Sequence, residues 1–231
     1  MLPPLRPPLS GLYAIPPESL DTPTLLAVSQ AVLSGGGRWL QYRNKHADAK
    51  TRRTEAGALL ALCRNHRAGL IVNDDIELAR AIGADGVHLG RDDGTPAEAR
   101  RVLGAAAIIG ASCYDDFDRA RIMAATGVSY VAFGAVYASP TKPDAVRAPL
   151  ELFCRARTEL PIPVCAIGGI TLENAPPLLI AGVKLLAVIS DLFASLQEIE
   201  PAHPQDFNAR LIAITARTRA YQRLFKDECS P

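Results

Sequence analysis

The chain has 231 residues, of which 48% are hydrophobic and 21% charged, a balance typical of a globular protein with enough apolar material for a core. Its formal net charge of +1 gives no overall electrostatic basis for binding nucleic acid or an anionic membrane. No apolar run reaches the ~20 residues that a membrane-spanning helix needs. We therefore expect a soluble, cytoplasmic protein with neither kind of partner.

The N-terminal segment is rich in proline and has no apolar core of the kind found in secretory signals. Residues 1–10 are expected to form an extended leader, residues 11–225 a single catalytic domain, and residues 226–231 a short tail. The five cysteines include no C-x-x-C pair and no zinc-ligand spacing. This usage indicates buried thiols in a reducing compartment.

Short apolar runs recur along the chain, and most are followed by a helix-compatible segment. Eight strands are predicted, at residues 11–15, 39–43, 70–73, 86–89, 108–112, 130–134, 164–168 and 185–190. Helices are predicted between them, for example at 51–66, 75–84, 95–104, 116–127 and 172–182, with a final one at 205–225. The strands are continuously hydrophobic, as expected for parallel strands covered on both faces. This order predicts an α/β protein with a single (β/α)₈ TIM barrel, and a doubly wound open sheet is the alternative.

The second strand runs into the polar segment QYRNK. Gln41, Arg43 and Lys45 share one face of it, because side chains alternate along a strand. If this face points inward, two cations line the barrel mouth, the rim at the C-terminal ends of the strands, and an anion must oppose them. The alternative is a strand end that runs into a solvated turn.

Two pairs of carboxylates follow the third and fourth strands. Asp75 can simply cap the next helix, whereas Thr95 is already a good cap for the helix after Asp92-Asp93. Strands three and four should be neighbours, so one carboxylate from each can converge at the mouth. Oxygen ligands that leave positions to water and phosphate suit Mg²⁺.

Three further loops place polar groups at the same rim. Ser112 ends the fifth strand, and the segment ASPTK after the sixth supplies Ser139, Thr141 and Lys142. Glycines 168 and 169 after the seventh strand permit an anion pocket built from backbone N–H groups, or serve only a tight turn. His46, His66, His88 and His203 show no partner spacing, and His88 is expected to be a packed strand residue. The set indicates two phosphorylated substrates, one of them a diphosphate chelated by Mg²⁺.

The ordered motifs QYRNK, VNDD, GADGVHLGRDD, GAS, SPTK, AIGGI and VIS resemble the thiamine-phosphate synthase family, over residues 11–196. The resemblance implies a transferase that joins hydroxymethylpyrimidine diphosphate to thiazole phosphate, forming thiamine phosphate and pyrophosphate. It also implies Mg²⁺ ligands at Asp74 and Asp93, and catalytic roles for Arg43, Lys45, Ser112 and Lys142. The implied substrate-binding residues are Gln41, Arg43, Lys45, Asn73, Ser112 and Lys142 for the pyrimidine substrate, and Ser139, Pro140, Thr141, Gly169, Ile189 and Ser190 for the thiazole phosphate. Tyr42 and Asn44 of the same QYRNK segment are also implied to bind substrate.

The sequence departs from the family at three places. Ser139 stands where the family usually has Thr, Arg91-Asp92 where it has Gln-Glu, and Cys113-Tyr114 where it commonly has Thr-His. A related thiazole tautomerase and a non-catalytic thiamine-phosphate binding protein are the rival functions. Retention of Asn73, Asp74, Asp93 and Lys142 argues against the tautomerase. A homo-oligomer is left open.

Overall fold

The fold is a closed barrel of eight parallel strands. It is seen in a computed structural model that describes residues 7–138, 146–196 and 204–227. Each strand pairs with the next one in the chain, and the last pairs with the first, with Gly11 opposite Leu185. This closing pair confirms the TIM barrel and excludes the doubly wound open sheet.

Strands and helices alternate throughout the described residues. The strands are β1 Gly11–Ala14, β2 Trp39–Tyr42, β3 Gly69–Asn73, β4 Gly86–Leu89, β5 Ile108–Tyr114, β6 Tyr130–Phe133, β7 Val164–Ile167 and β8 Leu185–Val188. The helices are α1 Thr22–Ser34, α2 Ala49–Asn65, α3 Ile76–Ile82, α4 Pro96–Leu103, α5 Phe117–Ala125, α6 Leu150–Glu159, α7 Pro176–Ile180 and α8 Pro204–Asp227, with a 3₁₀ turn at Ala194–Leu196. None of the helices in these described ranges is long and apolar enough to cross a membrane.

The strands are buried on both faces, which explains their continuous hydrophobicity. Outward side chains such as Leu40 and Val72 pack against the helices in the larger apolar cluster. Inward side chains such as Tyr13, Trp39 and Tyr130 form a second cluster inside the barrel. Each fully buried Leu or Val of these layers contributes about 1.5–3 kcal/mol, so both layers stabilise the barrel. The polar residues at the strand ends therefore project from a rigid base.

Helix boundaries follow from capping residues in the sequence. Asp75 and Thr95 cap α3 and α4 with their side-chain oxygens, and Gly83 ends α3 in the left-handed conformation. The predicted helix at 172–182 is shorter than expected, because Asn174 folds residues 171–174 into a turn by accepting a hydrogen bond from the N–H of Thr171. Helix α7 begins only at Pro176.

The prediction of buried thiols is correct for three cysteines and wrong for one. Cys63, Cys113 and Cys165 are buried and free, whereas Cys154 is exposed. Cys154 lies on the solvent side of α6, whose buried face is formed by Leu152, Phe153 and Ala156. Cys229 and His203 lie outside the described residues.

Candidate active site

Within each acidic pair at the barrel mouth, the two carboxylates have different surroundings. Asp75 accepts a hydrogen bond from the N–H of Leu78, 2.8 Å away, and pairs with Arg52, so it serves as the cap of α3. Asp92 is exposed, and Thr95 caps α4. The other member of each pair, Asp74 or Asp93, caps neither α3 nor α4.

Asp74 and Asp93 converge at the mouth. Asp74 has the left-handed φ of 64°, unusual for a residue other than glycine, and its N–H donates to the carbonyl of His88 at 2.8 Å. The Asp93 carboxylate accepts from the N–H of Gly90 at 3.0 Å. Burial raises the pKa of Asp93, and its hydrogen bond to Asp74 and the negative charge there raise it further. Two carboxylates held together in this way favour a cation between them.

One cation is already present. The Lys45 ammonium lies 2.8 Å from Asp74, and the hydrogen bond between them raises the pKa of Lys45. In the part of the chain that the structure describes, no group of three or more His, Cys, Asp or Glu side chains could hold a metal ion. A two-carboxylate site still fits Mg²⁺, which keeps several waters and takes further oxygens from a substrate phosphate.

Arg43, the residue directly after β2, meets an anion that the sequence analysis did not identify. Its guanidinium forms an ion pair with Glu18, which also accepts a hydrogen bond from the N–H of Lys45 at 3.2 Å. Although burial acts in the opposite direction, the Lys45 N–H and the Arg43 charge lower the pKa of Glu18. Glu18 therefore fixes two consecutive inward positions of the QYRNK segment. The only sequence signal was a carboxylate shortly after the first strand.

The other two residues of QYRNK occupy the opposite face. The Tyr42 hydroxyl donates to buried Glu55 at 2.7 Å, and the Asn44 amide donates to the same oxygen at 3.1 Å. Both border a cavity of about 320 Å³. Its other lining residues are Lys45, Arg52, Val72, Asn73, Asp74, Asp75 and Leu78. Asn73 is thus in place beside Lys45 and Asp74.

A chain of hydrogen bonds crosses the barrel interior below the mouth. The Gln41 amide donates to the Tyr13 hydroxyl at 2.7 Å, and the Tyr130 hydroxyl also donates to it at 3.1 Å. His88 contacts Tyr130 through Nδ1 at 3.0 Å and Ser112 through Nε2 at 2.9 Å. His88 is a packed strand residue as predicted, but it also connects two predicted site residues, Gln41 and Ser112.

The direction of this chain follows from the donors already used. Since Tyr130 gives its proton to Tyr13, the Tyr130 oxygen must accept from Nδ1–H of His88. Burial lowers the pKa of His88 to about 4, so the ring is neutral and Nε2 is an acceptor. Ser112 then donates its proton to His88 and turns its lone pairs toward the mouth. Ser112 is thereby prepared to accept a hydrogen bond from a ligand N–H group.

The loops after β6, β7 and β8 are described in part. Residues Ser139, Pro140, Thr141 and Lys142 lie outside the described residues. Gly169 has a φ of 63°, and a Cβ there would lie 2.5 Å from the carbonyl of Ala138, so only glycine allows this close approach. The Gly169 carbonyl accepts from Asn174 at 2.9 Å. Ile189 and Ser190 directly follow β8.

Two departures from the family pattern contact each other at the rim. The Arg91 guanidinium carbon lies 4.9 Å from the centre of the Tyr114 ring, a cation–π distance. Tyr114 has a left-handed φ of 57°, and the register of β5 shifts between Ser112 and Tyr114. This bulge carries Tyr114 toward Arg91 while Ser112 keeps its inward direction.

Comparison with known proteins places the chain in a family. The family model described as "Thiamine monophosphate synthase" matches residues 12–192. The chain belongs to the thiamine monophosphate synthase family. As a member of this family it is an enzyme of the transferase class, as predicted from the ordered motifs.

Proteins named thiamine-phosphate synthase align over most of the chain. The thiamine-phosphate synthase of Azoarcus sp. (strain BH72) is 57% identical over 194 residues, which cover 84% of this chain and 94% of that protein. The thiamine-phosphate synthase of Methylobacillus flagellatus is 49% identical over 219 residues, 95% of this chain and 97% of that protein. A solved thiamine phosphate pyrophosphorylase from Pyrococcus furiosus has a TM-score of 0.77 and 27% identity, and covers 96% of this chain and 98% of that one.

Proposed function

We propose that this protein is a Mg²⁺-dependent thiamine-phosphate synthase that joins a hydroxymethylpyrimidine diphosphate to a thiazole phosphate and releases pyrophosphate. The observation that carries the proposal is the convergence of Lys45, Asp74 and Asp93 at a mouth whose floor presents Ser112. One part of this arrangement suits a metal-bound diphosphate, and the other suits an aminopyrimidine ring.

The charged side of the mouth suits a leaving diphosphate. Asp74 and Asp93 would hold the Mg²⁺, which when bound supplies Lewis-acid neutralisation of the phosphate oxygens. Arg43 and Lys45, in the segment directly after β2, add positive charge. Stabilisation of charge on a leaving group by fixed cations lowers the barrier without any protein base. Lys142, outside the described residues, is proposed as a further cation.

The interior hydrogen-bond chain suits the pyrimidine. Ser112 offers lone pairs because its proton is directed to His88, and an exocyclic amino group would donate to them. Gln41 is only 4% exposed, and its amide is held by Tyr13, so its carbonyl oxygen has one orientation. A ring held between Ser112 and Gln41 would direct its methylene carbon toward the charged side. The pyrimidine cation formed as the diphosphate leaves would then be met by the thiazole nitrogen.

The second phosphate anchor orients the nucleophile. Gly169, Ile189 and Ser190 lie in the loops where barrels bind phosphate, and Ser139, Pro140 and Thr141 are proposed to complete the pocket. Holding the thiazole in line with the reacting carbon converts a bimolecular step into one within a single complex. The tautomerase alternative needs a proton-transfer group, and His88 is poorly suited to that role because both ring nitrogens are engaged.

The decisive experiment is a coupling assay with the two substrates, with and without Mg²⁺, that measures thiamine phosphate and pyrophosphate in equal amounts. We expect no product after chelation and recovery on addition of Mg²⁺. Binding of thiamine phosphate without turnover would favour the non-catalytic alternative. Turnover of the thiazole substrate alone would favour the tautomerase.

Matched variants locate the metal requirement. Asp93→Asn should lower kcat by about 100-fold or more and raise the Mg²⁺ concentration needed for half-maximal rate, because it removes one charge from the carboxylate pair. Asp92→Asn removes the exposed neighbouring charge and serves as the control. Equal rates in the two variants would contradict the assignment of Asp93. Lys142→Ala should also lose turnover by orders of magnitude while retaining the fold.

A further inference from the structure

Helix α8 contacts the loops after β7 and β8, which hold the proposed thiazole-phosphate pocket. Asp191 follows Ser190 in the loop after β8, and its carboxylate is bound by Arg217 and Tyr221 of α8. The Tyr221 hydroxyl also lies 3.5 Å from the carbonyl oxygen of Ile170, the residue after Gly169. We call Asp191, Arg217 and Tyr221 the α8 cluster.

The α8 cluster is built to hold one geometry. One edge of the guanidinium faces the carboxylate, since Nε of Arg217 donates to one Asp191 oxygen at 3.0 Å and Nη2 donates to the other. Such a two-point pair fixes orientation as well as distance. Tyr221 is fully buried and adds a third donor to the same carboxylate. The loop after β8 therefore has a defined position relative to α8.

The donor roles within the cluster are stable. Burial raises the pKa of Tyr221, and the hydrogen bond to Asp191 raises it further, so the hydroxyl remains protonated. The hydrogen bond to Asp191 likewise raises the pKa of Arg217. Glu173, in the loop after β7, lies 3.3 Å from Nη2 of Arg217. Arg217 is thus shared between carboxylates of both loops, and its charge is already balanced.

From these contacts we infer that Arg217 and Tyr221 are positioning residues for the thiazole-phosphate pocket, an inference that rests on the proposed function. Gly169 and Ser190 each directly precede a residue that Tyr221 contacts: its hydroxyl donates to Asp191 and lies 3.5 Å from the carbonyl oxygen of Ile170. The spacing between the two loops decides whether their backbone N–H groups can bind one phosphate together. Helix α8 sets that spacing, although it lies outside the reaction centre. The described contacts of the α8 cluster lie in the loops after β7 and β8, whereas the pyrimidine side lies on β2 to β5.

The test compares Tyr221→Phe, which removes only the hydroxyl, and Arg217→Met, which keeps the aliphatic stem, with the wild-type enzyme. Each should raise the KM for the thiazole phosphate by about tenfold, the order expected when a hydrogen bond to a charged group is lost. The kcat at saturating thiazole phosphate and the KM for the pyrimidine diphosphate should stay within about twofold. Arg217→Lys, which retains the charge but not the two-point contact, should give an intermediate KM.

Thr218→Val is the matched control, because it removes a buried hydroxyl of the same helix that donates to the carbonyl of Ile214 within α8. It should leave both KM values unchanged. An active wild type whose Tyr221→Phe and Arg217→Met variants keep the thiazole-phosphate KM refutes this inference alone, as does an equal rise in both KM values. A wild type that does not couple the substrates refutes the proposed function and this inference with it.

Discussion

The buried imidazole of His88 should make the protein sensitive to mild acid. Its pKa of about 4 lies below the 6.5 of an ordinary histidine, mainly because burial disfavours the charged ring. Between these two values the unfolded chain binds a proton that the folded chain does not. The contribution of the neutral His88 ring to the free energy of unfolding is therefore complete above about pH 6.5. It is lost as the pH falls toward 4.

The magnitude follows from the separation of the two pKa values. At about 1.4 kcal/mol for each pH unit, the separation corresponds to a loss of about 3 kcal/mol in the free energy of unfolding once His88 is protonated in both the folded and the unfolded chain. About 2 kcal/mol of this is lost between pH 7 and pH 5. Since a domain is typically stable by only about 5–15 kcal/mol, the loss is readily measured.

Urea unfolding at pH 7, 6 and 5 measures this effect in the wild type and in His88→Gln. The variant has no titrating group at this position, so its free energy of unfolding should fall by about 2 kcal/mol less over this range. The same exchange at exposed His46 controls for the loss of an imidazole in general. An NMR titration of the wild-type imidazoles tests the pKa directly. Equal pH dependence in wild type and His88→Gln, or a His88 resonance that titrates near 6.5, would refute the reasoning.

Two further predictions concern strand packing and the cation Arg43. Gly86→Ala should prevent folding or lower stability by several kcal/mol in urea unfolding, since its Cβ would lie 1.8 Å from the backbone oxygen of Ile108. Gly57→Ala, on α2 with open space around it, should instead be neutral or slightly stabilising. Glu18→Gln should lower kcat/KM for the pyrimidine diphosphate by about tenfold, because the charge that holds Arg43 is lost. An unchanged value in steady-state kinetics would show that Arg43 needs no such partner.

The barrel could be predicted because its determinants are local. Continuous apolar runs alternate with helical segments along the chain. Residues such as Thr95 and Gly83 mark helix ends by their own chemistry. The acidic pairs show what the local sequence does not determine, namely which carboxylate of a pair lies at the mouth. Asp74 and Asp75 are identical side chains in adjacent positions, and only the left-handed turn at Asp74 makes one a mouth residue and the other a cap. The sequence offered a cap of α3 as the alternative role of Asp75, and the structure shows that cap.

The interior hydrogen-bond chain could not be predicted from spacing, because its contacts depend on barrel register. Tyr130 and Ser112 lie 42 and 24 residues from His88 along the chain. One signal was present in the middle of β5, where a Cβ on Gly110 would lie 2.2 Å from the Tyr130 ring and 2.6 Å from Nδ1 of His88. The missing side chain lets these two rings stack with centres 5.6 Å apart. A glycine inside a strand thus marks a place where side chains from the neighbouring strands meet, and here they orient the serine at the mouth.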